Sequence, residues 1–283
     1  MQDIPGKGKG LLATRPIARG ELILAEEPLL SQSQPHSIAT VLAALSSLSD
    51  NDQRRYFSLA NALKGDYPPP LGIFKTNAPP CGDHDASRGH AAASAAIFVI
   101  GSRFNSSCQP NVNNYWNGSL QKITFWATSD IAEGEELCIC YGDLWKARDD
   151  RRHRLESSFR FGAALKESDE RRTAIAKLYD EIGACGNTPS VGVRKVKMAL
   201  RLLAEENLLE CDASLYYDAF QFCVSVSDVK NAKAWVTKAW EAFSVIRGPD
   251  SENSKTMAMY MKDVRQHRSF GLLPRAKLSG PET

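Results

Sequence analysis

Apolar side chains are spaced in two different ways along this chain, and the change falls near Lys166. Before it, short runs alternate with polar residues or stay apolar for a few positions, as in Ile17-Ala18-Arg19-Gly20-Glu21-Leu22-Ile23-Leu24, Ile123-Thr124-Phe125-Trp126-Ala127 and Leu137-Cys138-Ile139-Cys140-Tyr141. Such runs predict short strands, bounded by turns at Asn117-Gly118 and Glu133-Gly134, where glycine supplies the positive φ that tight turns need. One stretch departs from that texture. Thr40 to Leu63 reads as helix with Leu42, Leu45 and Leu48 on one side, and Tyr67-Pro68-Pro69-Pro70 is expected to end it. Beyond Lys166 the spacing is helical throughout. Ala232, Trp235, Val236, Ala239, Trp240, Phe243 and Ile246 follow one stripe behind Asp228, an expected N-cap, and the stripe stops at Gly248-Pro249. Leu215, Ala219, Phe222, Cys223 and Val226 make the facing stripe, so two helices joined by Ser227-Asp228 form an antiparallel hairpin. Further helices are expected at 168–183, 190–209 and 251–266.

This pattern predicts an α+β first half followed by an all-α region at 166–283 that resembles a tetratricopeptide-like arm. With 283 residues, two domains can each bury an adequate core. Lys plus Arg number 35 against 33 for Asp plus Glu, a formal net charge of +2, which leaves no electrostatic footprint for sequence-specific nucleic-acid binding or an anionic membrane. The longest apolar run, around Ala91 to Ile100, is too short to span a bilayer, and no apolar stretch follows a basic cap at the start, so an intracellular location, nuclear or cytoplasmic, is expected. Seven cysteines from Cys81 to Cys223 show neither an even framework nor paired CxxC knuckles, and reduced thiols are the expectation.

Two segments carry most of the chemistry: Ser102-Arg103-Phe104-Asn105-Ser106-Ser107-Cys108-Gln109-Pro110-Asn111 and Gly134-Glu135-Glu136-Leu137-Cys138-Ile139-Cys140-Tyr141. In this order, about thirty residues apart, they resemble the two signature segments of the SET domain, an Asn-His-Ser-Cys-x-Pro-Asn run and a Gly-Glu-Glu-Leu run ending in tyrosine. A third likeness is Gly8-Lys9-Gly10-Leu11-Leu12-Ala13 leading to Ile17-Ala18-Arg19-Gly20-Glu21, itself echoed by Ile131-Ala132-Glu133-Gly134-Glu135. The resemblance implies a SET β-fold with a knot-like core over 1–165, a variable insert at about 31–96, and a degenerate post-SET segment at about 152–165. The implied activity is transfer of a methyl group from S-adenosylmethionine to a lysine of a protein or peptide, histone or otherwise.

At neutral pH a free lysine lies about 3.4 units below its reference pKa, so presenting it uncharged costs about 4.6 kcal/mol unless the site lowers that value. A neighbouring sulfonium and an apolar channel both do so. By resemblance Tyr141 ends that channel, its hydroxyl accepting weak C–H···O contacts from the polarised methyl; the plain alternative is a strand tyrosine filling a core. Asn105 suits the cofactor's amino-acid end because an amide both donates and accepts, and its alternative is a turn asparagine. Ser106 stands where the family has histidine, whose backbone contacts the adenine. Lys9, Gly10 and Leu11 match the glycine turn along the cofactor, and a phosphate-binding loop is excluded because no Lys-Ser or Lys-Thr closes the run. Asn77 matches a further cofactor asparagine of the SET and MYND-domain branch, against the alternative of a loop asparagine beside prolines.

The resemblance breaks at the metal. That branch binds zinc through three post-SET cysteines and one in the first motif, but their positions here hold Ala163, Leu165 and Ser168, leaving Cys108 alone. A single thiolate does not make a tetrahedral site, so no zinc is expected, and Cys81 with His84 and His90 reads as a polar loop. The zinc-binding MYND module is not recognisable either. Phe161, matched to an aromatic that stacks on the cofactor, is kept. Two readings follow: an active lysine methyltransferase whose cofactor lid is held by the helical arm, or a SET-fold interaction protein, weakly active or inactive, that works through a protein partner on that arm.

Overall fold

The computed structural model describes residues 1–81, 92–142, 153 and 169–282. They fall into two compact units, the first including Met1–Ala18 and Leu22–Gly142 and the second including the helices from Asp169 onward.

Among the described residues the first unit has ten short strands in four small sheets. Strands β1 (Gln2–Ile4) and β2 (Gly8–Gly10) form an antiparallel hairpin with Asp3 opposite Lys9. A three-stranded antiparallel sheet has β9 (Lys122–Ala127) between β3 (Leu22–Glu26) and β8 (Val112–Asn117). Another has β6 (Ser94–Ile97) between β4 (Leu30–Ser33) and β5 (Pro80–Cys81). The fourth pairs β7 (Asn105–Ser106) with β10 (Cys138–Ile139) in parallel, the one arrangement that lays the two motif segments side by side. The echoed turns also meet. Ile17 and Ile131 exchange two backbone hydrogen bonds of 2.9 Å, and each segment turns at a glycine with φ of 82°, Gly20 and Gly134. Phe104 stacks on Phe125 at 4.3 Å between ring centres, in a core that also holds Phe98, Ile123, Ile131 and Leu137.

The insert differs from its sequence expectation. Instead of one helix over Thr40 to Leu63 there are two, α1 (Ile38–Ser46) and α2 (Asp50–Phe57), because Ser49 caps a new helix by accepting from the Asp52 amide. The buried face of α1 is Val41 and Leu45, while Leu42 is 48% exposed, so the leucine stripe read from the sequence is corrected. The prolines start a helix instead of ending one. Pro69 opens α3 (Pro69–Asn77), where a missing N–H costs nothing, and the Tyr56 hydroxyl donates to the Pro70 carbonyl.

The second unit contains α4 (Asp169–Gly183), α5 (Pro189–Glu205), α6 (Asp212–Ser225), α7 (Val229–Arg247) and α8 (Glu252–Lys262). Asp228 caps α7 by accepting from the Asn231 amide, and α7 ends at Gly248. Trp235, Val236, Ala239, Leu215, Ala219 and Cys223 are buried along the two stripes, as their spacing predicts. Trp240 is half-buried. Glu206, 2% exposed, is met by Arg172, 3% exposed, and by Arg171 at the surface. No helix among the described residues is long and apolar enough to cross a membrane.

Candidate active site

The parallel β7–β10 pair sets Asn105 beside Cys138 and Ser106 beside Ile139. Side chains then join what the backbone has aligned. Asn111, buried at the end of the first motif, donates to the Glu135 carboxylate and the Glu136 carbonyl and accepts from the Cys138 amide, each at 2.9 Å. The loop preceding Phe104 is held from β3, where the Glu26 carboxylate accepts from the Ile100 and Gly101 amides.

Glu136 is the hub. Its Oε1 accepts from Asn105 Nδ2 at 2.9 Å and its Oε2 from Lys7 Nζ at 2.7 Å, so one carboxylate ties the glycine turn to both motifs. Burial works against its charge, but the Lys7 and Asn105 hydrogen bonds and the Lys7 charge outweigh that and hold it below its ordinary value. For Lys7 burial opposes the charge as well, and Glu136 raises it on balance. Gly10 lies against the same hub. A Cβ there would come within 2.6 Å of Ile4, 2.7 Å of the Asn105 amide nitrogen and 3.1 Å of Glu136 Oε1, so only glycine permits this approach. Leu11 bonds through its carbonyl to the Leu137 amide, at 2.8 Å, and packs on the core.

Tyr141 closes the second motif. Its hydroxyl donates to the Phe104 carbonyl at 2.7 Å, and its amide donates to Ser106 Oγ at 3.2 Å. Burial, helped by the charges of Cys138 and Glu136, pushes the phenol up to about 12. Ser106, the departure from histidine, thus forms a direct link between the motifs that an imidazole in the same place would have to make differently.

Lys9 stands apart from this cluster, its ammonium 3.9 Å from Asp3 and more than half exposed. Asn77 ends α3 with its amide donating to the Ala60 and Ile73 carbonyls, while its own carbonyl accepts from Ser102. Phe161 and the positions Ala163, Leu165 and Ser168 lie outside the described residues, as do His84 and His90. Cys81 is buried, and burial pushes its thiol up to about 11. No group of three His, Cys, Asp or Glu residues among the described ones is arranged to hold a metal. Lys7, Glu136 and Asn111 were not singled out from the sequence; the acidic pair and the final asparagine of the motifs were the available signal.

A cavity of about 600 Å³ opens on the insert side. Phe74 and Lys75 of α3, His36, Tyr67 and Pro80 line it, with the Lys75 ammonium 5.0 Å from the Tyr67 ring centre. His36 packs edge-on against Phe74, and its Nδ1 is buried with no hydrogen-bond partner among the described residues.

Two motif segments bonded in parallel, crossed by a glycine turn and ending in a partly buried tyrosine, define a SET domain, and residues 8–142 match that family. Over 278 residues the chain is 32% identical to the histone-lysine N-methyltransferase set5 of Schizosaccharomyces pombe, covering 93% of this chain and 83% of that one. Shorter matches reach the N-lysine methyltransferase SMYD2 of Gallus gallus, 35% identical over 91 residues, 30% of this chain and 20% of the relative. The human SMYD2 is 34% identical over 91 residues, 30% and 21% of the two chains. The chain belongs to the SET-domain protein-lysine methyltransferases.

Proposed function

We propose that this chain methylates a protein lysine using S-adenosylmethionine, with nuclear histones as the first substrates to test, since the set5 relative is named for them. The observation that supports it most is the Glu136 hub, which brings Asn105 against Gly10, while Tyr141 is bonded to the residues on either side of Asn105, the Phe104 carbonyl and the Ser106 hydroxyl. These residues fit the cofactor. The bare Cα of Gly10 lets a ligand run along β2, and Asn105, bonded to Glu136 through one amide hydrogen, has a second hydrogen and a carbonyl to offer a carboxylate and an ammonium. Ser106 and Leu11 offer backbone groups, and Asn77 and Phe161 complete the proposed contacts. Once bound, S-adenosylmethionine supplies an electrophilic methyl on a sulfonium.

The protein's part is alignment. Tyr141 donates its proton to the Phe104 carbonyl and at about 12 stays neutral at working pH, and by the family likeness its oxygen would accept the weak C–H···O contacts of the methyl. A neutral phenol is no base, so the lysine sheds its proton to solvent before attack, and Tyr141 fixes the line of attack.

The test is calorimetric titration with S-adenosylmethionine followed by a radiolabelled-methyl assay on core histones and mixed protein extracts. Binding together with transfer to lysine is expected. Absence of binding by the wild-type chain overturns the reading and favours a SET-fold interaction protein.

A further inference from the structure

A second cavity, about 300 Å³, lies wholly within the helical unit, at the turn after α4, along α6 and beside the C-terminal segment. Ile182, Phe222 and Leu272 give it apolar walls, and Asp218, Gln221 and Asn187 give it polar ones. Asp218 is its one formally charged lining residue. Burial pushes this carboxyl up to about 6, so it is mostly ionised at neutral pH while largely removed from water. Its recorded partner is a long contact of 3.4 Å from the Gln221 amide, and no cation among the described residues pairs with it.

Two other carboxylates of the same unit are compensated from within the chain. Buried Glu206 has Arg171 and Arg172, and Asp228 accepts three N–H groups, from Asn231 twice and Leu278. A charge left uncompensated in a mostly apolar pocket is costly unless a counter-charge arrives from outside. The mouth is also open. Gly183 and Gly186 are among the lining residues of the cavity, and a Cβ built on either meets nothing within 4 Å.

We propose that this cavity docks an arginine side chain of a partner protein, its guanidinium paired with Asp218 and its stem lying against Ile182, Leu272 and Phe222. The cavity sits at the small end of ligand sites, matching one side chain and not a whole cofactor. Arginine fits better than lysine because its planar, weakly hydrated head tolerates burial, pairs with a carboxylate through two N–H groups and stacks on aromatic surface. The Asn187 and Gln221 amide oxygens can take its remaining hydrogens. This site stands independently of the methyl-transfer reading.

The test is an NMR titration of the full chain with N-acetyl-arginine methylamide, following the side-chain amide signals of Asn187 and Gln221, with the citrulline analogue as a neutral isostere. Saturable millimolar binding to arginine is expected, at least tenfold weaker for citrulline. Asp218→Asn should abolish it in a variant whose melting shows it folded, and Gly186→Leu should block it by filling the mouth with Asp218 intact. Equal binding of citrulline, equal binding of the lysine analogue, unchanged binding in folded Asp218→Asn, or no change in either amide signal with arginine would each overturn the proposal.

Discussion

One carboxylate, Glu136, fastens three segments far apart in sequence, and its loss should be felt as disorder of the site more than as global collapse. Its folded pKa is lowered, so its stabilisation is present above its ordinary value of 4.5 and is lost as pH falls through the folded value. The difference in melting temperature between wild type and Glu136→Gln should therefore be largest near neutrality and shrink in acid below about pH 4.5; a difference independent of pH would remove the charge from the argument. Asn105→Ala should weaken S-adenosylmethionine binding by about 1.5–3 kcal/mol in calorimetry, the usual worth of a hydrogen bond to a charged group. Tyr141→Phe should lower kcat on the order of tenfold or more with cofactor affinity little changed, since its contact strengthens only as the methyl moves. That Asn105, Ser106 and Tyr141 come together was readable because their neighbours in sequence form motifs. Lys7 was not, because which lysine of Gly6-Lys7-Gly8-Lys9-Gly10 turns inward depends on hairpin register: Lys9 is taken opposite Asp3, and Lys7 sits in the turn beyond it.

Among the elements, period was visible in the sequence and partners were not. The α6 and α7 stripes are buried as spaced, with Asp228 and Gly248 at the ends of α7, because capping and amphipathicity are local chemistry. The insert misled because a proline run can end one helix or begin the next, and only the chain's path decides. Neither Arg172 nor Glu206 announces its burial in sequence, yet they meet inside the helical unit across 34 positions. Glu206→Ala removes the buried counter-charge of Arg172 and should cost about 3–5 kcal/mol in denaturant unfolding, whereas an exposed ion pair such as Arg201–Glu205 should cost under about 1 kcal/mol.

For the whole molecule, the zinc-free expectation rests on ligand count, and the purified chain should carry no stoichiometric zinc by elemental analysis. Its melting should likewise be unmoved by a chelator. The SET class was accessible from order and spacing alone, whereas the parallel contact of the two motifs was not, because periodicity within a strand says nothing of its neighbour.

The Lys7–Glu136 pair also sets a date in the life of the chain. These residues stand 129 positions apart, and β2 reaches the second motif through the Leu11–Leu137 bond over nearly the same separation. A chain emerging from the ribosome N-terminus first exposes the glycine turn at once, and the turn then waits without its counterpart while more than a hundred residues are added. Ligand capture at this site is thus a late event of biogenesis. A nascent chain halted before residue 136 should remain open to protease at its N-terminal turn, and cofactor in the medium should protect it only after the second motif has been synthesised.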